Sequence, residues 1–220
     1  IALTPLERRI DEASLTYSSV SVEIDRAART AAIVITGPEE DPPSSVAEMI
    51  DRGAAFWPLR LARELEDAIL HLRLNELEIG ILMFKSHGDG DRVLAYDGFL
   101  GRHGGHWLAR EITLYWKRVL KRIDLTSRTL VAMIEPGSCF AGTLAEITFA
   151  CDRSYMAIGQ LDGGNRAVAQ LTLCSQNFGV YAMSNGLTRL ETRFLGEPDS
   201  LEAARSAVGR SIPTEQAEAL

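Results

Sequence analysis

Two stretches of the sequence place apolar residues at helical spacing. The first, residues 58–74, carries its apolar stripe at Leu61, Leu65, Ile69 and Leu72. The second, residues 106–123, carries its stripe at Leu108, Ile112, Tyr115, Val119 and Ile123. Because each stripe covers one side of a helix, the pattern predicts two amphipathic helices that pack against a core.

Alternating and continuous apolar runs predict the strands. Residues 15–25 include an alternation of apolar and polar side chains, and residues 31–36 are rich in β-forming ones, which predicts an opening hairpin. Continuous apolar runs at residues 79–84 and 130–134 predict buried strands. A further short strand is predicted at residues 171–173.

The remaining sequence is interpreted as loops and shorter helices. Residues 37–45 contain three prolines and predict a loop. Residues 87–91 are rich in Gly and Asp but lack the spaced ligands and distal glutamate of a calcium loop, so they predict a surface turn. Helices are predicted at residues 186–194 and 201–208, and another begins at residue 214. Strands and helices alternate through the middle of the chain, which predicts an α/β fold.

Composition narrows the class of protein. The length of 220 residues predicts one domain, and the shares of 46% hydrophobic and 24% charged residues are typical of a globular protein. A net charge of −7 argues against a nucleic-acid partner. Three scattered cysteines fit a reducing cytoplasm rather than a disulfide framework or a zinc site, and no apolar run is long enough for a membrane span. We therefore expect a single cytoplasmic domain over residues 1–220, and the abrupt ends predict a fragment of a longer chain.

The richest motif for chemistry lies between residues 135 and 152. The predicted strand at 130–134 runs into a loop with Pro136, Gly137 and Gly142, and a helix is predicted to follow. A glycine turn before a helix exposes backbone N–H groups, and the helix dipole adds to their attraction for an oxyanion. A thioester carbonyl that gains negative charge during a reaction is one ligand for such a site.

A second interpretation of the same residues is structural. Thr143 and Glu146 form a Thr-x-x-Glu pattern before an apolar run, which is the signature of a helix capping box. In that case Thr143 bonds an unpaired N–H group and Glu146 bonds back to the start of the helix. On the pattern alone, the capping role and a catalytic role for Glu146 both remain open.

These segments resemble the crotonase (enoyl-CoA hydratase) superfamily. The matching residues are Ala141-Gly142-Thr143, Glu146, Cys151-Asp152, Asn177-Phe178-Gly179 and the run from Asn185 to Leu190. Within that superfamily the chain is similar to the diverged second half of a long lyase. The resemblance implies a crotonase-like fold of repeated ββα units. It also implies an acyl-CoA substrate, no metal or redox cofactor, and either a homo-oligomer or packing against a second crotonase-like half.

The resemblance also assigns candidate site residues. The oxyanion hole would use backbone N–H groups of Ala95 or Tyr96, in a loop after an early strand, and of Gly142 or Thr143. Glu146 matches the first catalytic glutamate of the family.

Two positions depart from the family pattern. Asp97 stands where the family has glycine, and its charge would repel a developing oxyanion. Ser175 stands where the family has a second carboxylate, and serine has no usable pKa near neutrality without a base.

Two functions therefore remain open for this chain. In one, it is a structural part of a lyase that cleaves the ring of an aromatic-derived dihydrodiol acyl-CoA thioester and releases formate. In the other, it holds a working acyl-CoA hydratase or isomerase site built on Glu146. The substitutions at Asp97 and Ser175 favour the structural role.

Other chemically active residues have ordinary structural interpretations. Cys139 and Cys174 are predicted to be buried and unreactive. His103 and His106 are predicted to enter a helix rather than bind metal, because two histidines are too few ligands. Arg189 and Arg193 lie one helical turn apart and could contact CoA phosphates or form ion pairs on a helix face.

Overall fold

The computed structural model describes residues 1–159 and 168–218. Its main sheet has seven strands that lie in sequence order: β1 (Arg9–Asp11), β2 (Ser14–Thr16), β3 (Val20–Asp25), β4 (Thr30–Thr36), β5 (Ile81–His87), β6 (Thr129–Ile134) and β7 (Arg153–Met156). The first four strands pair antiparallel, and β4 to β7 pair parallel. A separate antiparallel pair joins β8 (Gln170–Thr172) and β9 (Ser211–Pro213).

Helices connect the parallel strands and complete the C-terminal region. They are α1 (Val46–Arg52), α2 (Trp57–Asn75), α3 (Gly90–Arg102), α4 (Trp107–Asp124), α5 (Ala145–Ala150), α6 (Arg189–Arg193), α7 (Pro198–Ser206) and α8 (Thr214–Glu218). Parallel strands joined by helical crossovers confirm the predicted α/β class. No helix within residues 1–159 and 168–218 combines the length and the apolarity that crossing a membrane requires.

The two predicted amphipathic helices are confirmed as α2 and α4. They pack against each other, and the indole nitrogen of Trp116 donates to the backbone oxygen of Pro58 at 2.9 Å. Arg118 and Arg122 pair with Glu66 at 3.1 and 2.9 Å, which adds a polar contact between the same helices. The helix boundaries lie within one residue of those predicted.

The predicted opening hairpin is also confirmed, with one refinement. Residues 15–25 form two strands rather than one, because the chain reverses between β2 and β3. The hairpin of β3 and β4 has a register that pairs Val20 with Ile35 and Asp25 with Thr30. The alternating side chains Val20, Val22 and Ile24 are buried as the pattern predicts.

The segment after β5 differs from the prediction. Residues 87–91 are not a simple surface turn, because His87 ends β5 and Asp89 caps α3 by accepting hydrogen bonds from the N–H groups of Asp91 and Arg92. Helix α3 therefore covers residues that the sequence pattern left outside any helix. This helix brings Asp97 against the loop that follows β6.

The C-terminal region forms its own small apolar cluster. Leu173, Leu190, Ala204 and Ile212 are buried together beside the main core. The strand predicted at 171–173 is present as β8, and the helices predicted at 186–194, 201–208 and 214 onward are present as α6, α7 and α8. Helix α6 is shorter than predicted, and α7 begins three residues and ends two residues earlier than predicted. The last two residues of the helix predicted to begin at 214 lie outside the described residues.

Candidate functional site

The loop that follows β6 contains the glycine predicted to expose backbone N–H groups. Residues 135–141 lead into a 3₁₀ turn at Gly142–Leu144, and α5 begins at Ala145. Gly142 has a φ angle of +48°, in the left-handed region where glycine is favoured. The predicted order of a strand, a glycine loop and a helix is therefore confirmed.

The carboxylate of Asp97 lies directly in front of this loop. The backbone N–H of Thr143 donates to Asp97 Oδ2 at 2.7 Å, and the Thr143 hydroxyl donates to Asp97 Oδ1 at 2.6 Å. A Cβ atom added to Gly142 would lie 1.9 Å from Asp97 Oδ2. Glycine is thus required for the close approach of Asp97, and the candidate oxyanion donor at Thr143 is already bound to an internal carboxylate.

Polar side chains from the segment after β8 complete the surroundings of Asp97. Tyr181 Oη lies 2.7 Å from the hydroxyl oxygen of Thr143 and 3.0 Å from Gln176 Oε1. The Gln176 amide donates to the backbone oxygen of Asp97 at 2.5 Å. Cys174 Sγ lies 3.9 Å from Asp97 Oδ2. Side chains from two parts of the chain, the loop after β6 and the segment after β8, therefore fix Asp97 in place.

Burial changes the acidity of Asp97. The loss of hydration raises the pKa of Asp97 to about 7, and the nearby charge of Glu146 acts in the same direction. The two hydrogen bonds from Thr143 oppose this shift because they favour the carboxylate. Asp97 is therefore a buried group that titrates near neutral pH.

We expect the free energy of unfolding of the wild type to fall as the pH rises from about 5 to about 7. The fall should exceed that of Asp97→Asn by roughly 2 kcal/mol. The folded-state pKa of Asp97 lies above that of an unfolded aspartate, so the folded protein keeps this proton where the unfolded chain has lost it. The stabilisation is complete below the unfolded pKa and is lost as the pH rises through the folded pKa. Urea unfolding of both proteins at the two pH values measures the difference. If the two free energies of unfolding change with pH by the same amount, the raised pKa of Asp97 is contradicted.

Glu146 lies on α5 and is tied into a separate set of contacts. Only 1% of its side chain is exposed. It accepts a hydrogen bond from Asn177 Nδ2 at 2.7 Å and one from Arg189 Nη1 at 2.8 Å. Burial raises the pKa of Glu146, while the Asn177 hydrogen bond and the Arg189 charge oppose that shift.

Arg189 joins two carboxylates in the interior. Its guanidinium donates to Asp124 at 2.9 and 2.7 Å, to Glu146 at 2.8 Å and to the backbone oxygen of Tyr181 at 3.0 Å. Of the two predicted roles for Arg189, the ion-paired one matches the structure. Arg193 instead donates to the backbone oxygens of Thr148 and Cys151. We call Asp124, Glu146, Asn177 and Arg189 the buried ion cluster.

Two features predicted for the site are wrong. Ala95 and Tyr96 do not lie in a loop after β5, because both are well inside α3, where N–H groups bond the preceding turn of the helix. Thr143 and Glu146 do not form a capping box, since no side chain caps α5. Their side chains bond Asp97 and Arg189 instead.

Ser175 supplies no acid or base beside Glu146. It is exposed at the start of a 3₁₀ turn, Ser175–Phe178, and Asn177 from the same turn reaches Glu146. Neither Asn177 nor Tyr181 was singled out by the sequence as part of the site. The only signal for Asn177 was its place in the matched Asn-Phe-Gly segment.

Cys139 and His106 have the structural roles predicted for them, whereas Cys174 is only partly buried and His103 ends a helix instead of entering one. Burial raises the pKa of Cys139 to about 11 and that of Cys174 to about 12, so both thiols are poor nucleophiles. His106 caps α4, where its Nδ1 accepts from the N–H of Leu108 at 3.3 Å. His103 ends α3 and packs against the ring of Phe99.

Solved structures share the fold described above. An enoyl-CoA hydratase from Geobacillus kaustophilus HTA426 has a TM-score of 0.55 and 16% identity, over 93% of this chain and 66% of that one. An enoyl-CoA hydratase/isomerase from Xanthobacter autotrophicus Py2 has a TM-score of 0.59 and 12% identity, over 93% of this chain and 65% of that one. The chain therefore has the crotonase fold of the enoyl-CoA hydratases.

In sequence, the chain is similar to the benzoyl-CoA-dihydrodiol lyase of Aromatoleum evansii. The two are 40% identical over 217 residues, and the match covers 99% of this chain but only 38% of the lyase. No protein-family model matches the chain. The predicted crotonase-like fold and the predicted resemblance to one part of a longer lyase are confirmed.

Proposed function

We propose that this chain is a structural part of a lyase that acts on a CoA thioester, of the kind represented by benzoyl-CoA-dihydrodiol lyase. In this proposal the complete enzyme cleaves the ring of an aromatic-derived dihydrodiol acyl-CoA and releases formate. The chain supports that reaction by packing against a second crotonase-like half or another copy, in the cytoplasm. The proposal requires no metal or redox cofactor.

The observation that carries the structural role is the contact between Asp97 and Thr143. A thioester carbonyl that uses the Thr143 N–H group of this loop must displace Asp97 Oδ2, which already accepts from it at 2.7 Å. An ionised Asp97 would also repel the negative charge that develops on the carbonyl oxygen. Asp97 therefore both fills the position and disfavours the reaction.

The surroundings of Glu146 support the same conclusion. A general base must reach the proton that it removes, yet Glu146 is buried and held by Asn177 and Arg189. Arg189 favours the ionised form and so opposes the rise in the pKa of Glu146 that burial causes. Because Ser175 takes the place of the second carboxylate, the loop lacks the paired groups that hydration of an enoyl-CoA requires.

One observation favours the second candidate, a working acyl-CoA hydratase or isomerase site. Asp97 and Glu146 are two buried carboxyl groups whose pKa values are both raised, and the charge of Glu146 adds to the shift at Asp97. Carboxyl pairs of this kind are common in acid–base sites. This candidate needs Asp97 to leave the Thr143 N–H group when substrate binds.

The proposal is tested by assaying the purified chain and its Glu146→Gln variant. The substrates are an enoyl-CoA and the dihydrodiol of benzoyl-CoA. We expect no turnover of either substrate by either protein, because the oxyanion donor is occupied and no free base is positioned beside it. Turnover that Glu146→Gln abolishes would establish the working-site candidate in its place.

A binding measurement provides a control that does not depend on turnover. The amide resonance of Thr143 is followed by NMR while an acyl-CoA is added. In the wild type we expect no change, because Asp97 holds that N–H group, whereas Asp97→Ala releases it and shifts the resonance before any ligand is added. A ligand-dependent shift of Thr143 in the wild type would contradict the structural role.

A further inference from the structure

A cavity lies beside the carboxyl end of β4. Its volume is about 440 Å³. Its walls come from the β2–β3 connection, the end of β4 and the loop after it, the end of α1 and the turn after it, the start of α2 and one residue of α3. The polar and charged residues among them are Ser18, Ser19, Thr36, Arg52, Trp57, Arg60 and Tyr96, with Glu39 and Glu40 in the loop after β4.

Two nitrogen atoms on the side chains that line this cavity have no hydrogen-bond partner. Within residues 1–159 and 168–218, Trp57 Nε1 and Arg60 Nε are the buried side-chain nitrogen or oxygen atoms without one. Trp57 is only 6% exposed. A buried donor without an acceptor is costly and is rare in folded proteins. Both residues line this one cavity.

The other polar groups around the cavity are already satisfied. Arg52 pairs with Glu48 at 2.7 Å and lies 3.8 Å from Glu40. The hydroxyl of Tyr96 donates to the backbone oxygen of Asp41 at 3.3 Å. Among the described residues, no carboxylate lies within 4.0 Å of Arg60 to neutralise its charge.

The groups around Arg60 indicate the chemistry of a ligand that would fit this cavity. The buried Glu64, one helical turn further along α2, accepts from the hydroxyl of Ser18 and the N–H of Ser19 rather than from Arg60. Helix α2 starts at Trp57 without a side-chain cap and has no acidic residue in its first turn, so its dipole adds positive potential here. Both unpaired groups are donors, and Arg60 carries a positive charge that no ion pair among the described residues neutralises.

We propose that this cavity binds a small oxyanion, either a carboxylate or a phosphate group, through Arg60 and the indole N–H of Trp57. An oxyanion supplies the acceptors that both nitrogens lack and neutralises Arg60. Glu39 and Glu40 belong to the same walls, and the side chain of Glu40 is 82% exposed. Their charge restricts the site to a small anionic group rather than a polyanion.

The test is a titration of the full chain with sodium phosphate and, separately, with sodium acetate at constant ionic strength. Calorimetry follows binding in the wild type, Arg60→Gln and Trp57→Phe. The matched controls are Arg110→Gln, which removes a surface arginine, and Trp107→Phe, which removes a half-exposed indole. We expect saturable binding of at least one ion, weakened about tenfold or more by Arg60→Gln and several-fold by Trp57→Phe, but unchanged in both controls.

The two anions distinguish the sources of the oxyanion. Tighter binding of phosphate assigns the site to a phosphate group, and tighter binding of acetate assigns it to a carboxylate. Thermal unfolding checks the variants, and Trp57→Phe is expected to be no less stable because it removes an unpaired donor. The proposal is overturned if neither ion binds saturably below about 20 mM, or if the controls weaken binding as much as Arg60→Gln does.

Discussion

Gly142→Ala is expected to destabilise the protein by roughly 3–5 kcal/mol. Alanine costs about 1–2 kcal/mol in the left-handed conformation that Gly142 adopts. Its Cβ would also lie 1.9 Å from Asp97 Oδ2 and 3.3 Å from Cys174 Sγ, so Asp97 has to move and lose its hydrogen bonds to Thr143. Urea unfolding near pH 7 measures the loss.

The control for this prediction is Gly186→Ala. Gly186 has a φ angle of +87°, and a Cβ atom there would have no neighbour within 4 Å. It should therefore show only the backbone cost of about 1–2 kcal/mol. In the Asp97→Ala background, Gly142→Ala should approach the same smaller cost, since the clashing oxygen is gone. An equal cost of Gly142→Ala in both backgrounds would show that Asp97 does not determine the need for glycine.

The sequence predicted α2 well and α3 not at all, for a physical reason. The stripe of α2 repeats Leu61, Leu65, Ile69 and Leu72 at regular helical spacing, and Pro58 stands in its first turn. Helix α3 contains three glycines, which lower helix propensity, and its formation depends on the Asp89 cap and on burial of its apolar face. Local propensity indicated a loop, and tertiary packing decided otherwise.

The candidate site shows even more clearly that local sequence patterns do not predict contacts formed by tertiary packing. The loop, the glycine and the conflict between Asp97 and an oxyanion were all predicted from the sequence. The position of the carboxylate was not, because Asp97 and Thr143 are separated by 46 residues and meet only when α3 packs on the loop. The Thr-x-x-Glu pattern indicated local hydrogen bonds, but both side chains form hydrogen bonds with residues that are distant in sequence.

The buried ion cluster holds Glu146 in a set of interior hydrogen bonds and ion pairs. Glu146 and Arg189 are each 1% exposed at their side chains, and their atoms Oε2 and Nη1 are 2.8 Å apart. Asn177 connects the same carboxylate to the backbone oxygen of Gly142. The cluster therefore links α5, α6 and the glycine loop and fixes their positions relative to one another.

Arg189→Met is expected to destabilise the protein by roughly 3–5 kcal/mol at neutral pH. The variant leaves Glu146 buried without its cation, and Asp124 loses two hydrogen bonds as well. At about pH 5 the loss should be smaller, because removing the cation raises the pKa of Glu146 further and a proton can then neutralise the buried charge. Urea unfolding at the two pH values measures both effects.

Two further variants separate the buried pair from charge effects in general. Lys85→Met breaks the surface pair with Glu135, whose atoms lie 3.2 Å apart, and should cost about 0–1 kcal/mol. The double variant Arg189→Met/Glu146→Leu removes both buried charges and should recover much of the stability lost in Arg189→Met, since a buried pair is costly mainly when one partner is left alone. If the double variant is less stable than Arg189→Met, the cluster stabilises the fold through more than compensation of charge, and the uncompensated carboxylate is not the cause of the loss.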